Sequence, residues 1–290
     1  MNKLYSDKLV ITTLILPSLL VFFLAVFAPI LLSVYYGFTN YNALGNPMFI
    51  GLANYAELIK DGVFWLSLRN SLALAAGFII IQHPLAMITA VILDRMGGKL
   101  EGIFRCIYFI PNVISVAVIA YLWRLIYEPN FGLLNTVIKA LGGEGAINWL
   151  GHGNAIWSVL IVLIWHGFGW GMLIYYAGLK NISPELYEAA SIDGCNQKQA
   201  FFYITLPLIR PVIQVNVTLA IISALKQMET VYLLTNGGPG NESQFLGNYL
   251  YKQAFNAFRY GYGNSISVVF IFICLGATVT LNRIFRKTGA

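Results

Sequence analysis

Residues 155–211 read AIWSVLIVLIWHGFGWGMLIYYAGLKNISPELYEAASIDGCNQKQAFFYITLPLIRP. The first 25 of them, 155–179, contain no Lys, Arg, Asp or Glu. Roughly 20 helical residues cross ~30 Å of hydrocarbon, so this run reads as a membrane span. From Lys180 to Pro211 the chain becomes polar, with charges, caps and prolines in order, and this part reads as an organised loop between spans.

Outward from that segment, five more apolar stretches are long enough to cross: 10–36, 71–93, 106–127, 212–234 and 264–282. The whole chain of 290 residues holds 18 Lys/Arg and 12 Asp/Glu, about 10% charged, where soluble domains average roughly 25%. That is too little charge to clothe a soluble surface, and it excludes disordered, collagen-like and disulfide-scaffold classes as well. The expectation is an all-α membrane protein forming a single transmembrane domain over 1–290.

Only Arg124, Lys226 and Glu229 fall inside the six spans. With an even number of crossings both termini share a side. The loops on that side carry 11 Lys/Arg against five on the other (Lys60, Arg69, Lys139, Lys252 and Arg259). By the positive-inside rule both termini are cytoplasmic. Lys3 and Lys8 ahead of an apolar run resemble a signal peptide. The run is 27 residues, though, against ~7–15 for a signal core, and reads as a retained helix bent at Pro17 and Pro29. Cys106, Cys195 and Cys274 show no metal or redox spacing. With no basic run, a nucleic-acid partner is not expected. Phosphate-loop, H-E-x-x-H and G-x-S-x-G signatures are absent, so any energy used must come from another chain.

The loop 180–211 contains two predicted helices. Ser183-Pro184-Glu185 offers a capping hydroxyl, a proline at the first helical position and an acid near the positive end of the dipole. Asp193-Gly194 stops that helix, with glycine suited to a left-handed cap. Asn196 starts a second helix that should end before Pro207 and Pro211. About nine helical residues are marginal alone, so the first helix needs something to pack on. The residues leave two surfaces open: lipid headgroups, or another protein admitted closely by the small alanines.

Glu188-Ala189-Ala190, three residues, Gly194, nine residues and Ile204-Thr205-Leu206-Pro207 resemble the EAA loop of permease subunits in binding-protein-dependent ABC importers. Five further segments are similar to the carbohydrate-uptake branch of that family. They are LPSLLVFFLAVFAPILLSVYYGFTNYN (16–42), GLANYAELIKDGVFWLSLRNS (51–71), YLWRLIYEPNFGLLN (121–135), INWLG (147–151) and LLTNGGPG (233–240). The last resembles the maltose-transporter F-type or glycerol-3-phosphate A-type subunit. Cys195 stands where the family usually has alanine, and Asn241-Glu242-Ser243 where threonine is common.

The resemblance implies a type I ABC importer permease fold, a heterodimer with a second homologous permease, and two cytoplasmic ATPase subunits that carry ATP and Mg. It also implies an extracellular or periplasmic sugar-binding protein and a place in the plasma (inner) membrane of a bacterium or archaeon. No cofactor is expected on this chain. Carried over by position, Glu188, Ala189, Ala190, Asp193 and Gly194 form the docking helix and its hinge, and Leu206 and Pro207 join the loop to the fifth span.

A sugar pathway needs amide or hydroxyl groups with aromatic rings near mid-membrane. Trp165-His166-Gly167-Phe168-Gly169-Trp170-Gly171 sits at the centre of the fourth span, too deep for the interfacial aromatic belt that suits Trp157, Tyr175 and Tyr176. Its three glycines read either as a helix break at a transport site or as close helix packing. Family contacts cluster on the same stretch, making Trp165, His166, Gly167 and Trp170 candidates. Ala224 and Gln227 match other substrate-facing positions, with Ser223 and Asn216 weaker. Lys226 and Glu229, at i and i+3, are expected to pair on one helix face as a structural pair or a gate, with proton coupling the other reading. Arg124 is expected to snorkel. The alternative function is a stand-alone ion-coupled secondary transporter, which would want more intramembrane carboxylates and an internal repeat.

Overall fold

A computed structural model describes residues 8–143 and 147–287, and among these the secondary structure is helical apart from one isolated bridge between Thr39 and Phe49. The long helices are α1 (Thr12–Gly37), α3 (Gly62–Met96), α7 (Ala155–Lys180) and α13 (Tyr260–Lys287). Between them lie α2 (Ala53–Lys60), α4 (Gly98–Val113), α5 (Val116–Ile126), α6 (Leu133–Ala140), α8 (Pro184–Ile192), α9 (Gln197–Leu208), α10 (Arg210–Lys226), α11 (Glu229–Leu234) and α12 (Leu246–Tyr251). Four helices are long and apolar enough to cross a membrane, and two bent pairs, α4–α5 and α9–α10, raise the number to six.

The chain packs as two units, Met1–Asp61 with Leu250–Ile273 and Gly62–Tyr249 with Cys274–Ala290. In the first, α1 has no buried residue in its most apolar stretch. A helix apolar all round with nothing packed on it belongs in hydrocarbon or against another chain. Its end is tied down by Asn54, whose Nδ2 donates to the carbonyls of Gly37 and Thr39, both at 2.9 Å. Arg259 pairs with Glu57 at 2.6 Å, and Ser33 donates to Asn264 at 2.6 Å.

In the second unit the apolar core joins α3 to α7. Ala86, Met87, Ala90 and Leu93 face Met172, Tyr175, Tyr176 and Leu179, with Ile209 completing the cluster. The spacing i, i+1, i+4, i+7 on α3 is one helix face, and the small alanines let α7 approach closely.

Several expectations are corrected. The helix that contains the second span begins at Gly62, ahead of 71, and α3 runs 35 residues, about 52 Å. The third span is two helices, α4 and α5, meeting at 96°. Pro111 removes a helical donor, and Ile114 and Ser115 take extended ψ of 137° and 138°. The fifth span breaks at Gln227, whose ψ is 121°. The backbone of Gly247 lies so close that a Cβ there would stand 2.7 Å from the Lys226 carbonyl oxygen.

Lys226 therefore ends one helix and Glu229 begins another, and no ion pair joins them among the described residues. The glycine-rich fourth span is an unbroken helix. In α1, a π turn at Phe23–Phe27 precedes Pro29, and the helix continues through both prolines. A second π turn, Phe201–Thr205, carries α9 through Pro207 to Leu208, beyond its expected end.

Candidate functional site

An open cavity of about 660 Å³ lies within the second unit, walled by α3, α4, α7 and α10 and by the break that follows α10. His166, Gly167 and Trp170 line it from α7, and Gln227 from the break. Asn216 and Ser223 reach it from α10. Trp165 and Ala224 are not on its wall: Trp165 makes an edge-to-face pair with Trp123 at 5.5 Å, and Ala224 is fully buried. Tyr175 and Tyr176, expected at the interfacial belt, are buried in the core, whereas Trp157 is exposed.

The glycines at 167, 169 and 171 of α7 admit neighbours. A Cβ on Gly169 would overlap the Tyr108 carbonyl oxygen of α4 and stand 3.0 Å from the Phe109 Cα. On Gly167 it would stand 3.0 Å from Gln82 Oε1, and on Gly171 3.6 Å from the Ala86 methyl. Close packing is thus the structural role of this stretch.

Cavity residues that escaped notice in the sequence include Gln82 and His83 on α3, and Asn112 on α4. Gln82 Nε2 donates to the Gly167 carbonyl at 3.2 Å, and His83 Nδ1 meets the Tyr175 hydroxyl at 2.9 Å. Gln82 Oε1, His83 Nε2, Asn112 Nδ2 and His166 Nε2 are buried without a hydrogen-bond partner. The available signal was an uncharged polar residue beside proline in an apolar run, as in Gln82-His83-Pro84 and Pro111-Asn112. The wall also carries Lys226 and Glu229. In sum it offers hydrogen-bond donors and acceptors, one indole face and two opposite charges, and no group arranged for covalent chemistry.

The second functional element is the loop from Lys180 to Pro211. Helix α8 starts at Pro184 with Glu185 in its first turn, as the dipole favours, but Ser183 makes no side-chain cap bond. At its end the Gly194 N–H bonds to Ser191 and the Cys195 N–H to Ala190, with Gly194 at φ 78°. This is a Schellman closure, which needs a left-handed residue at the glycine. Asn196 then caps α9 reciprocally with Gln199, at 3.0 and 2.8 Å. Glu188, Ala189, Asp193 and Gly194 are exposed and no residue of α8 is buried. Leu206 and Pro207 sit at the 67° turn into α10. Arg95 bonds Gln197 at 2.7 Å and Lys180 pairs with Asp94 at 2.9 Å, tying the start and the middle of the loop to the end of α3.

A third cluster joins the loops near 152 and 242. Asn70 Nδ2 donates to the carbonyls of Glu242 and Gln244 at 2.8 and 2.9 Å. The Glu242 carboxylate accepts from His152 Nδ1 at 3.0 Å and the Gly153 N–H at 2.8 Å. The bond from His152, then that from Gly153, holds this carboxyl below the usual carboxylate range.

Residues 82–287 match the family described as binding-protein-dependent transport system inner membrane component. A probable ABC transporter permease, YurN of Bacillus subtilis, is 37% identical over 98% of each chain. The multiple sugar-binding transport system permease MsmF of Streptococcus mutans is 32% identical, covering 97% of this chain and 94% of its own. A chain of the crystal structure of a bacterial alginate ABC transporter, bound to its pentasaccharide-loaded periplasmic protein, superposes with a TM-score of 0.84. It is 22% identical, over 99% of this chain and 97% of that one. A stand-alone ion-coupled transporter does not fit these relatives. The chain belongs to the binding-protein-dependent transport system inner membrane component family.

Proposed function

We propose that this chain is one half of a sugar-conducting pair in the plasma (inner) membrane of a bacterium or archaeon, with both termini cytoplasmic. A second, homologous permease completes the pathway. Two cytoplasmic ATPase subunits supply energy and hold ATP and Mg, and an external binding protein delivers the cargo. This chain hydrolyses nothing itself.

The observation that carries the reading is α8, a capped nine-residue helix with no buried residue of its own. A helix this short is marginal in water unless something packs on it. Docking into an ATPase cleft would supply that partner, through Glu188, Ala189, Ala190, Asp193 and Gly194. Motion of the loop has a route inward. Ile209, at the α9–α10 turn, is 1% exposed within the apolar cluster that joins α3 to α7. Those two helices carry Gln82, His83, His166, Gly167 and Trp170 on the cavity wall. Moving a two-state pathway from 1:99 to 99:1 takes ~5.5 kcal/mol of differential binding. A loop closed by a Schellman turn and a capping box is stiff enough to pass such a difference on.

The sugar assignment rests on the cavity's uncharged amides and imidazoles beside the indole of Trp170, together with the sugar named for MsmF. Reconstitution of the chain with its partner permease, ATPase and binding protein in liposomes tests it. Uptake should require ATP, and replacing Glu188 and Gly194 together should abolish coupling. Uptake without ATP, or full coupling in that double variant, refutes the proposal.

A further inference from the structure

Gln82 is 5% exposed and its amide is fixed in orientation. The Gly167 carbonyl accepts only, so the nitrogen must face it, at 3.2 Å, and Oε1 is left as a buried acceptor with no partner. The position packed against it is glycine: a Cβ at 167 would stand 3.0 Å from that oxygen. Asn112, on the wall of the same cavity, likewise keeps a buried donor, Nδ2, without a partner. An orphaned buried polar atom carries the cost of a lost hydrogen bond until a ligand or water supplies one.

We propose that Gln82 is a specificity-determining residue of the pathway, its Oε1 accepting from a substrate hydroxyl, so that this tier admits neutral hydroxylated ligands and rejects anionic ones. The inference rests on the sugar-pathway reading above. A carboxylate or phosphate oxygen only accepts, and against Oε1 it meets a second acceptor. A hydroxyl both donates and accepts, so adjacent hydroxyls satisfy Gln82 Oε1 and Asn112 Nδ2 together. The residue is presented from α3 by the π turn Phe78–Gln82 just ahead of Pro84, against α7, which also brings Trp170 to the cavity wall. Helix α7 supplies the indole face and α3 reads the hydroxyl edge.

The test measures equilibrium binding to the complete permease–ATPase assembly in detergent. The probes are radiolabelled maltose, lactose and xylobiose, the monodeoxy analogues of whichever binds tightest, and its uronic acid counterpart. Wild type should bind one deoxy analogue and the uronic acid at least about tenfold more weakly than the parent sugar, as expected where a buried polar group is left unpaired. Gln82→Met should bring both ratios close to one. Gly167→Ala, which sets a methyl before Oε1 and leaves Gln82 itself intact, should do the same and serves if the first variant does not assemble. A purely structural Gln82 would weaken all ligands alike, so unchanged ratios in both variants overturn the inference.

Unchanged ratios together with weaker binding by Trp170→Ala would leave the pathway reading standing. Binding untouched in Trp170→Ala and His166→Ala as well would sink that reading too. Failure of the wild-type assembly to bind any of the three sugars overturns the neutral-hydroxyl assignment.

Discussion

Alanine substitutions at Gly167, Gly169 and Gly171 separate two reasons for three glycines in five residues. A helix-interior Gly→Ala change gains ~1 kcal/mol of propensity at each site, so a role in loosening α7 would make the three variants equally stabilising. The packing predicts a graded series. At 171 the nearest atoms to a new Cβ are 3.6–3.8 Å away, ordinary contact, and the gain stands.

At 167 the Cβ meets the far end of a flexible side chain, Gln82, at 3.0–3.4 Å, which must give by a few tenths of an ångström. At 169 it meets the backbone of Tyr108 and Phe109 and cannot be accommodated without moving α4. Forced overpacking costs ~1–3 kcal/mol, sometimes more. At roughly 2–4 °C per kcal/mol, that separates Gly169→Ala from Gly171→Ala by on the order of 5 °C. Thermal denaturation of the assembled complex, followed by size-exclusion chromatography, should rank the variants 171, 167, 169 in falling stability. A Gly169→Ala complex as stable as Gly171→Ala refutes the packing argument.

Three further outcomes are expected. Gly194→Ala places a Cβ on a left-handed residue, at ~1–2 kcal/mol. Since no atom lies within 4 Å of that site, the effect is conformational, and sugar imported per ATP hydrolysed should fall while the complex still assembles. Glu242 has a lowered pKa in the folded chain, so the stability it contributes is present at neutral pH and lost as pH falls through that value, below 4.5. Exchange of the Gly153 amide proton, referenced to its intrinsic rate, should accelerate over that window, and Glu242→Gln should remove the pH dependence. Neutralising Lys226 and Glu229 together should affect stability by the sum of the single changes to within ~0.5 kcal/mol, as for groups that are not paired, and a larger coupling would restore the ion pair.

The spans and the loop were legible in the sequence because each leaves a local mark. Absence of charge over 155–179 announced α7, and Pro184, Gly194 and Asn196 stand at the ends they were expected to punctuate. The breaks were less legible. Pro111 sits inside α4, and the chain turns three residues later at Ile114, a residue with no turn preference. Gln227 breaks the fifth span with neither proline nor glycine beside it, because Gly247, twenty positions on, packs under the carbonyls of its last turn. Tyr175 was placed at the belt by its position near a helix end, but its hydroxyl finds His83, ninety-two residues earlier. Half the cavity wall was invisible for the same reason. Gln82 and Asn112 gain meaning only once α3 and α4 pack against α7, and periodicity along one helix carries no record of its neighbours.

The π turn at Phe78–Gln82 has a consequence for how α3 changes over evolution. A turn one residue wider than its neighbours lets the segments on either side keep independent angular phases along a common axis. Residues 62–77 and 83–96 are therefore two helices spliced end to end, each free to present its own face. Removing one residue between 78 and 82 would rotate one segment against the other by about 100°. The face formed by Ala86, Met87, Ala90 and Leu93 would then swing off α7. Point changes in the outer segment leave that phase alone, so the two halves of this helix are free to diverge at different rates while the length between Gly77 and His83 stays fixed.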